Sequence, residues 1–337
     1  MKLKRISRIC LISAASLFLF LTLNLLFIPK YIESDNDGRI TAEFEREKLN
    51  NDVLFVGSSV VYSAVNPIVM WQEYGMASFD RSTSSQPTWT SYYLIKDAIE
   101  STNPKFIALD VSFMRYEDDY VEEPSNRKAF DGMRISRTKF EAIEAAKSPD
   151  EAVIDYIVPL FRFHSRWQYL KAEDWKYLYY KPTVSHSGYL YSDSVEPAFG
   201  DRNTEGLFEV RLSDRNAEYL EKIIKLCADN NIQLLLFKTP SYHPKWDENY
   251  DGDIRFIADK YNVAYHDFDN DTEAIGLDYT TDTPDGGGHL NCSGANKFSA
   301  YLGAYIKENY DVVDHRGDAA YEKVWQEKLQ RYEEVVR

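Results

Sequence analysis

This chain of 337 residues has few cysteines, and its positive charges are outnumbered by its negative ones. Its three cysteines have neither the spacing of a zinc site nor that of a disulfide framework; they are Cys10, Cys227 and Cys292. Lys and Arg number 39 against 54 Asp and Glu, so the formal net charge is -15. Because nucleic acid binding requires clustered positive charge, no nucleic-acid partner is expected.

Long apolar runs are also rare, and the one from Ile9 to Ile28 is therefore informative. About 20 apolar residues are needed to cross a bilayer as a helix. Basic residues precede this run, which puts residues 1–8 in the cytoplasm and the rest of the chain outside. A cleaved signal peptide is the alternative, but Phe27 to Ile32 offers no small-x-small cleavage site. We therefore predict a single-pass anchor over 9–28 in the cell membrane, with an extracellular C-terminal domain.

Strand and helix patterns alternate beyond residue 50, as they do in proteins built from βαβ units. The strands are predicted at 53–56, 77–80, 106–111, 232–237 and 263–268. We expect an α/β fold, a three-layer sandwich around a mainly parallel sheet, over residues 51–316. Residues 29–50 are predicted to be a linker, about 112–212 an insertion, and 317–337 a charged helix that is either solvated or lying on its own domain.

The first predicted strand ends abruptly at Gly57-Ser58-Ser59. Open α/β sheets hold their reactive groups at this carboxyl edge. Serine requires a base to become a good nucleophile, and His289 lies in a late glycine-rich loop that begins at Asp285. Each motif alone is common as an ordinary turn or surface loop, but their order along an α/β chain predicts a single site.

These motifs, with the hydroxyl-rich loop 81–86 and Asp110 at the end of the third strand, resemble the SGNH/GDSL hydrolase superfamily. The resemblance is to its membrane-anchored Gram-positive branch, which is similar to the protein that transfers D-alanine to teichoic acids. It covers about two thirds of the chain, leaves the insertion unexplained, and implies an SGNH-hydrolase or flavodoxin-like fold.

The resemblance also implies catalytic roles. Ser59 would be the nucleophile, with Ser58 its neighbour, and His289 the general base. The family spacing is Asp-x-x-His, but the third residue before His289 is a glycine. We therefore predict that Asp285, the fourth residue before it, orients the imidazole, with Asp282 as the alternative.

Oxyanion stabilisation is only partly represented in the sequence. The Ser59 backbone N–H is one donor, and the family's second glycine falls at or near Ser82, in a loop that includes Ser84. The family's asparagine has no counterpart after the third strand. Arg166 and Trp167 suit an anionic or sugar ligand, although core packing of an amphipathic helix explains them equally well.

These features together predict a membrane-anchored serine esterase or acyltransferase that acts on acyl groups of a cell-surface polysaccharide or teichoic-acid-like polymer, or on their carrier. The resemblance implies a membrane-bound O-acyltransferase as partner. The alternatives are a non-catalytic accessory protein that scaffolds such an enzyme, and a structural envelope protein with a decayed site. No metal and no other cofactor is predicted, because the remaining histidines lack ligand spacing; those considered are His164, His186 and His243.

Overall fold

One parallel five-stranded sheet forms the centre of the protein. The computed structural model describes residues 2–29, 36–47, 51–114, 117–200, 211–242 and 248–337. Its strands are β1 (Val53–Gly57), β2 (Ser78–Ser82), β3 (Phe106–Asp110), β4 (Gln233–Lys238) and β5 (Ala264–Asp267). They lie in the order β2-β1-β3-β4-β5, and every neighbouring pair is parallel. The predicted α/β fold class is confirmed.

Helices cover both faces of this sheet. In chain order they are α1 (Lys2–Phe27), α2 (Ile40–Glu47), α3 (Ser59–Ala64), α4 (Pro67–Tyr74), α5 (Thr88–Ser101), α6 (Glu123–Phe130), α7 (Arg137–Ala146), α8 (Val153–Ile157), α9 (Pro159–Phe163), α10 (Ala172–Lys176), α11 (Asp214–Asp229), α12 (Glu248–Tyr261), α13 (Thr272–Ile275), α14 (Cys292–Asn309) and α15 (Ala319–Val336). Short 3-10 helices cover Asn36–Arg39, His164–Tyr169 and Phe268–Asp271.

The two faces of the sheet belong to different hydrophobic cores because successive strand residues point to opposite sides. Leu54 and Val56 face a core that includes α2, α5, α11 and α12. Val53 and Phe55 face a second core, formed with α3, α4 and α14. All five residues of β1 are buried, as expected for a central parallel strand. The predicted three-layer arrangement follows from this division.

The chain between β3 and β4 contributes helices α6–α11, and its described residues add no strand to the sheet. A separate apolar core, which includes Phe130 and Ile143, joins this region to α5. Two of its short helices, α8 and α9, meet at Val158. Pro159 explains the break, since proline disfavours helical geometry in the residue before it.

The N-terminal helix α1 includes a stretch, Lys4–Phe27, that is long and apolar enough to cross a membrane. Its C-terminal end packs against α9, α10 and the 3-10 helix His164–Tyr169. Leu26 is buried there, and the Asn24 side chain accepts a hydrogen bond from the Leu160 backbone N–H at 3.1 Å. Residues 30–35 and 48–50 of the predicted linker lie outside the described residues, as do Met1 and His243.

The C-terminal helix α15 lies against the α/β domain. The ring of Trp325 stacks on that of Trp71 in α4, with centroids 5.0 Å apart and planes 8° from parallel. Lys328 is buried, and its Nζ donates to the Ser187 hydroxyl at 2.7 Å. Helix α15 therefore has one face in the protein interior, and that face includes the charged Lys328.

Candidate active site

Ser59 lies at the carboxyl edge of the sheet, where β1 ends and α3 begins. The turn depends on Gly57, because a Cβ there would come within 2.5 Å of the Val61 Cγ2 and 2.8 Å of the Asp110 Cβ. Ser58 is the N-cap of α3, and Ser59 is the first residue of that helix. Sequence analysis did not predict α3, since six residues are too few to show a helical period.

Ser59, His289 and Asp285 form a continuous chain of hydrogen bonds. The Ser59 Oγ lies 2.8 Å from the His289 Nε2, and the His289 Nδ1 lies 2.5 Å from the Asp285 Oδ2. An ionised carboxylate can only accept, so the Nδ1 atom carries the imidazole proton. The Nε2 atom then accepts from the serine hydroxyl, which is the arrangement that a general base requires.

Asp285 is held in the orientation that this arrangement needs. One carboxylate oxygen accepts from the His289 backbone N–H at 3.0 Å and from the Thr283 hydroxyl at 3.2 Å, and the other contacts the imidazole. Burial acts to raise the pKa of the Asp285 carboxyl, but the hydrogen bonds from His289 and Thr283 outweigh it, and the pKa is lowered. The carboxylate is therefore ionised at neutral pH and can stabilise an imidazolium.

Asp282, the alternative partner for His289, has other contacts. It is fully buried, and its Oδ2 accepts from the Lys297 Nζ at 2.7 Å and from the Asp278 backbone N–H at 2.8 Å. These contacts join the loop to α14 and leave Asp285 as the carboxylate that meets the imidazole.

Two glycines explain how the histidine loop holds Asp285 four residues before His289, and not three. Gly286 and Gly287 have φ values of 74° and 108°, a region that glycine tolerates far better than other residues. A Cβ on Gly287 would also come within 2.2 Å of the Tyr242 Cβ. The extra residue is therefore absorbed in a left-handed turn that brings Asp285 back to His289.

Thr283 and Asn291 support this loop, and sequence analysis assigned a function to neither. The Thr283 hydroxyl accepts from the Gly287 backbone N–H at 2.7 Å. Asn291 caps α14 through the Ser293 and Gly294 backbone N–H groups, and its amide donates to the Thr281 carbonyl at 2.8 Å. The only available signal was an Asn two residues after the histidine and directly before a helix, which is typical of an N-cap.

The inserted region also contacts the histidine loop. The Gly286 N–H donates to the Glu196 carbonyl at 2.9 Å, and the Glu196 N–H donates to the Thr283 carbonyl at 3.0 Å. The Cys292 N–H donates to the Ser192 carbonyl at 2.7 Å. The end of the insertion therefore buttresses the loop that presents His289.

Ser82 ends β2 and lies directly opposite Gly57 in the sheet register. Its hydroxyl and that of Ser58 are buried, and neither has a hydrogen-bond partner among the described residues.

The backbone N–H groups of Ser84 and its neighbour Thr83 both donate hydrogen bonds to side chains of the protein. The Thr83 N–H donates to the Gln86 side chain at 3.0 Å, and the Ser84 N–H donates to Asp37 at 2.7 Å. The Ser84 hydroxyl accepts from the Lys128 Nζ at 2.9 Å. Both N–H groups are therefore occupied in the structure and do not point freely towards a substrate oxygen.

Asp110 joins the ends of two neighbouring strands. One carboxylate oxygen accepts from the Ser112 backbone N–H, and the other accepts from the Ser112 hydroxyl and from both the N–H and the hydroxyl of Thr239. Burial nevertheless raises the pKa of this carboxyl above its ordinary value. Its contacts give it a role in fixing the sheet edge on which Ser59 lies.

Arg166 and Trp167 lie in the inserted region, on the 3-10 helix that contacts α1. The Arg166 guanidinium donates to the backbone carbonyls of Leu26 and Phe27 and to the Asp174 carboxylate. Trp167 is exposed. Substrate contact by either residue stays a prediction.

No protein-family model matches this chain, and no curated protein matches it. It is similar to the crystal structure of a candidate acylhydrolase from Bacteroides fragilis NCTC 9343, at 10% sequence identity and a TM-score of 0.38, over 79% of this chain and 94% of that one. It is also similar to that of a candidate GDSL-like lipase from Parabacteroides merdae ATCC 43184, at 10% identity and a TM-score of 0.37, over 77% and 97%. Likenesses this distant carry no functional conclusion, which depends on the site itself.

Proposed function

We propose that the protein is a serine esterase or acyltransferase that uses Ser59 as nucleophile, His289 as general base and Asp285 to orient the imidazole. The observation that supports this is the hydrogen-bonded chain from the Ser59 Oγ through both nitrogens of His289 to the Asp285 carboxylate. Ser59 is 8% exposed and the His289 side chain 32%, so the nucleophile is shielded while the base remains accessible to a leaving group.

The proposed reaction is acyl transfer in two steps. The Ser59 Oγ attacks the carbonyl carbon of an ester or thioester while the His289 Nε2 takes the serine proton. The tetrahedral intermediate collapses, and the histidine returns that proton to the departing alcohol or thiol. Water or a sugar hydroxyl then attacks the acyl-Ser59 ester, again losing its proton to His289, and the second collapse regenerates the Ser59 hydroxyl.

The intermediate's oxyanion requires donors that are already oriented. The backbone N–H groups in the first turn of a helix have no intrahelical partner. Ser59 occupies that turn of α3, so its own N–H is the donor we assign. The Thr83 and Ser84 N–H groups would have to leave Gln86 and Asp37 to add to it.

The proposed setting is the outer face of a cell membrane, with α1 as the anchor. Basic residues precede the apolar part of α1 and favour a cytoplasmic N-terminus. The resemblance to the membrane-anchored Gram-positive branch of the SGNH/GDSL superfamily supports an acylated surface glycopolymer, such as a teichoic acid, or its carrier as substrate. It also supports a membrane-bound O-acyltransferase as partner.

Covalent labelling of the full chain with a fluorophosphonate probe tests the nucleophile. We expect the wild-type chain to label, Ser59→Ala to lose labelling, and Ser58→Ala to retain it. Ser58 is the matched control because it is the adjacent serine and its buried hydroxyl has no partner among the described residues. Labelling that survives in Ser59→Ala would overturn the assignment.

A non-catalytic accessory that scaffolds an acyltransferase is the second candidate function. The specific observation in its favour is that the Thr83 and Ser84 N–H groups, which follow the strand beside the nucleophile, are already occupied by side chains. If the folded wild-type chain fails to label and has no esterase activity, this function replaces the first.

A further inference from the structure

Exposed aromatic side chains are concentrated in one short part of the inserted region. Six of the nine exposed Phe, Tyr and Trp side chains that the described chain has outside α1 lie between residues 161 and 180. We call these six the aromatic surface: Phe161, Trp167, Tyr169, Trp175, Tyr179 and Tyr180. Trp175 is 54% exposed and Tyr179 82%. None of the six belongs to the hydrogen-bonded chain of Ser59, His289 and Asp285. A group of exposed aromatic rings on a soluble surface is unusual and often marks a binding surface.

The charge of this segment is opposite to that of the whole protein. Residues 153–181 contain five Lys and Arg and three Asp and Glu, although the chain carries a net charge of -15. Lys171, Lys176 and Lys181 are exposed beside the aromatic rings. The Lys176 Nζ lies 4.9 Å from the ring centroid of Tyr180. Long basic side chains next to Trp and Tyr are typical of surfaces that meet lipid headgroups.

The same segment is hydrogen-bonded to the C-terminal end of α1. The Arg166 guanidinium lies 3.3 Å from the Leu26 carbonyl oxygen and 3.4 Å from those of Phe27 and Ile28, where a helix end leaves carbonyls unpaired. An ion pair at 2.8 Å with the buried Asp174 holds the guanidinium in place. If α1 crosses the bilayer, its outer end and the aromatic surface must therefore lie at a similar depth.

We propose that the aromatic surface docks in the interfacial region of the lipid bilayer around α1, with the rings among the headgroups and the lysine ammonium groups towards lipid phosphates. Trp and Tyr prefer this depth because each has a largely apolar ring that carries one polar group, an N–H or an O–H. The inference rests on the proposed membrane anchor and adds to it a second contact, which would limit the tilt and rotation of the catalytic domain over the membrane.

Tryptophan quenching in bilayers tests this with the chain's own residues. The full-length protein is reconstituted into phosphatidylcholine vesicles whose lipids are brominated near the headgroup end of the acyl chain. Helix α1 contains no Trp, and the described Trp residues other than Trp167 and Trp175 are buried; they are Trp71, Trp89 and Trp325. We expect strong quenching in the wild type and most of it to be lost in the Trp167→Phe/Trp175→Phe double variant.

Trp71→Phe is the control, because Trp71 is buried beneath Trp325 of α15 and its variant should keep the quenching. Equal quenching in the wild type and the double variant, or none in a wild type that floats with the vesicles, would overturn the docking surface and leave the anchor intact. Failure to float with vesicles would instead refute the anchor. Fluorophosphonate labelling in detergent tests Ser59 separately from both.

Discussion

The Ser59 Oγ lies 2.8 Å from the His289 Nε2 although 230 positions separate the two residues in the chain. Ser59 follows β1 directly, and His289 lies in the loop between α13 and α14. Because α14 packs against α3 and α4, the N-terminal end of α14 carries the histidine to the carboxyl edge of the sheet. The two residues meet through the packing of helices and not through any direct pairing of strands.

Replacing Asp285 by Asn should reduce kcat by about 10²–10⁴-fold, because the amide no longer selects the tautomer in which the His289 Nε2 accepts. KM should change little, since the Asp285 carboxylate bonds to His289 at Nδ1, on the opposite side of the imidazole from Ser59. The measurement is esterase turnover of the purified chain on an activated ester. Unchanged kcat in Asp285→Asn would contradict the assigned role.

Asp282→Asn is the control for that experiment. Asp282 is buried and pairs with Lys297 at 2.7 Å, so its loss should lower the free energy of unfolding while the labelling of Ser59 in the folded fraction persists. If Asp282→Asn instead abolished labelling in fully folded protein, Asp282 would be the functional partner.

Much of this site could be predicted from the sequence, because its signals are local. A buried apolar run before Gly57 predicts a strand end, and a glycine-rich loop with His289 predicts an exposed base. The choice of Asp285 over Asp282 could not be decided from spacing alone. It depends on the left-handed turn at Gly286 and Gly287 and on the contact of Asp282 with Lys297, which only the folded chain reveals.

The inserted region was harder to predict because its stabilising contacts are distant in sequence. Nothing in the local pattern of Arg166 indicates that it would cap the carbonyls at the end of α1, 138 to 140 positions earlier. Likewise, Glu196 buttresses the histidine loop through backbone groups, which carry no sequence signal at all. Short helices such as α8 and α9 also fall below the length at which a period can be recognised.

The ionisation of Asp285 should make folding stability depend on pH in acid. Its folded-state pKa lies below the ordinary value of 3.8, because the hydrogen bonds from His289 and Thr283 outweigh burial. The carboxylate therefore adds stability that is fully present above the ordinary pKa and is lost as the pH falls through the folded pKa. Urea unfolding of the wild type and Asp285→Asn should show a stability difference that shrinks as the pH falls below 3.8. A difference independent of pH would refute this.

Gly57→Ala should destabilise the junction between β1 and α3 and weaken catalysis together. The added methyl group would meet the Val61 and Asp110 side chains at 2.5 and 2.8 Å, and overpacking of this kind costs about 1–3 kcal/mol. Relief of the clash requires α3 to move, which carries Ser59 away from His289. Urea unfolding and fluorophosphonate labelling rate measure the two effects.

Gly252→Ala is its matched control. Gly252 lies within α12, and an added Cβ there has no neighbour within 4 Å. Alanine at an open helical position should raise the free energy of unfolding by about 0.5–1 kcal/mol and leave labelling unchanged. If both glycine variants behaved alike, the tight contact at Gly57 would have no energetic importance.

Trp325→Ala should show that α15 is an integral part of the α/β domain. Trp325 is fully buried and stacks on Trp71, so its removal leaves a large cavity between α15 and α4 and should cost about 3–5 kcal/mol. Val335→Ala, on the same helix but 51% exposed, should change the free energy of unfolding by no more than about 0.5 kcal/mol. Urea unfolding of the detergent-solubilised full chain measures both. Equal stability of the two variants would mean that α15 is not packed on the domain in solution, and that Lys328 is consequently not held against Ser187.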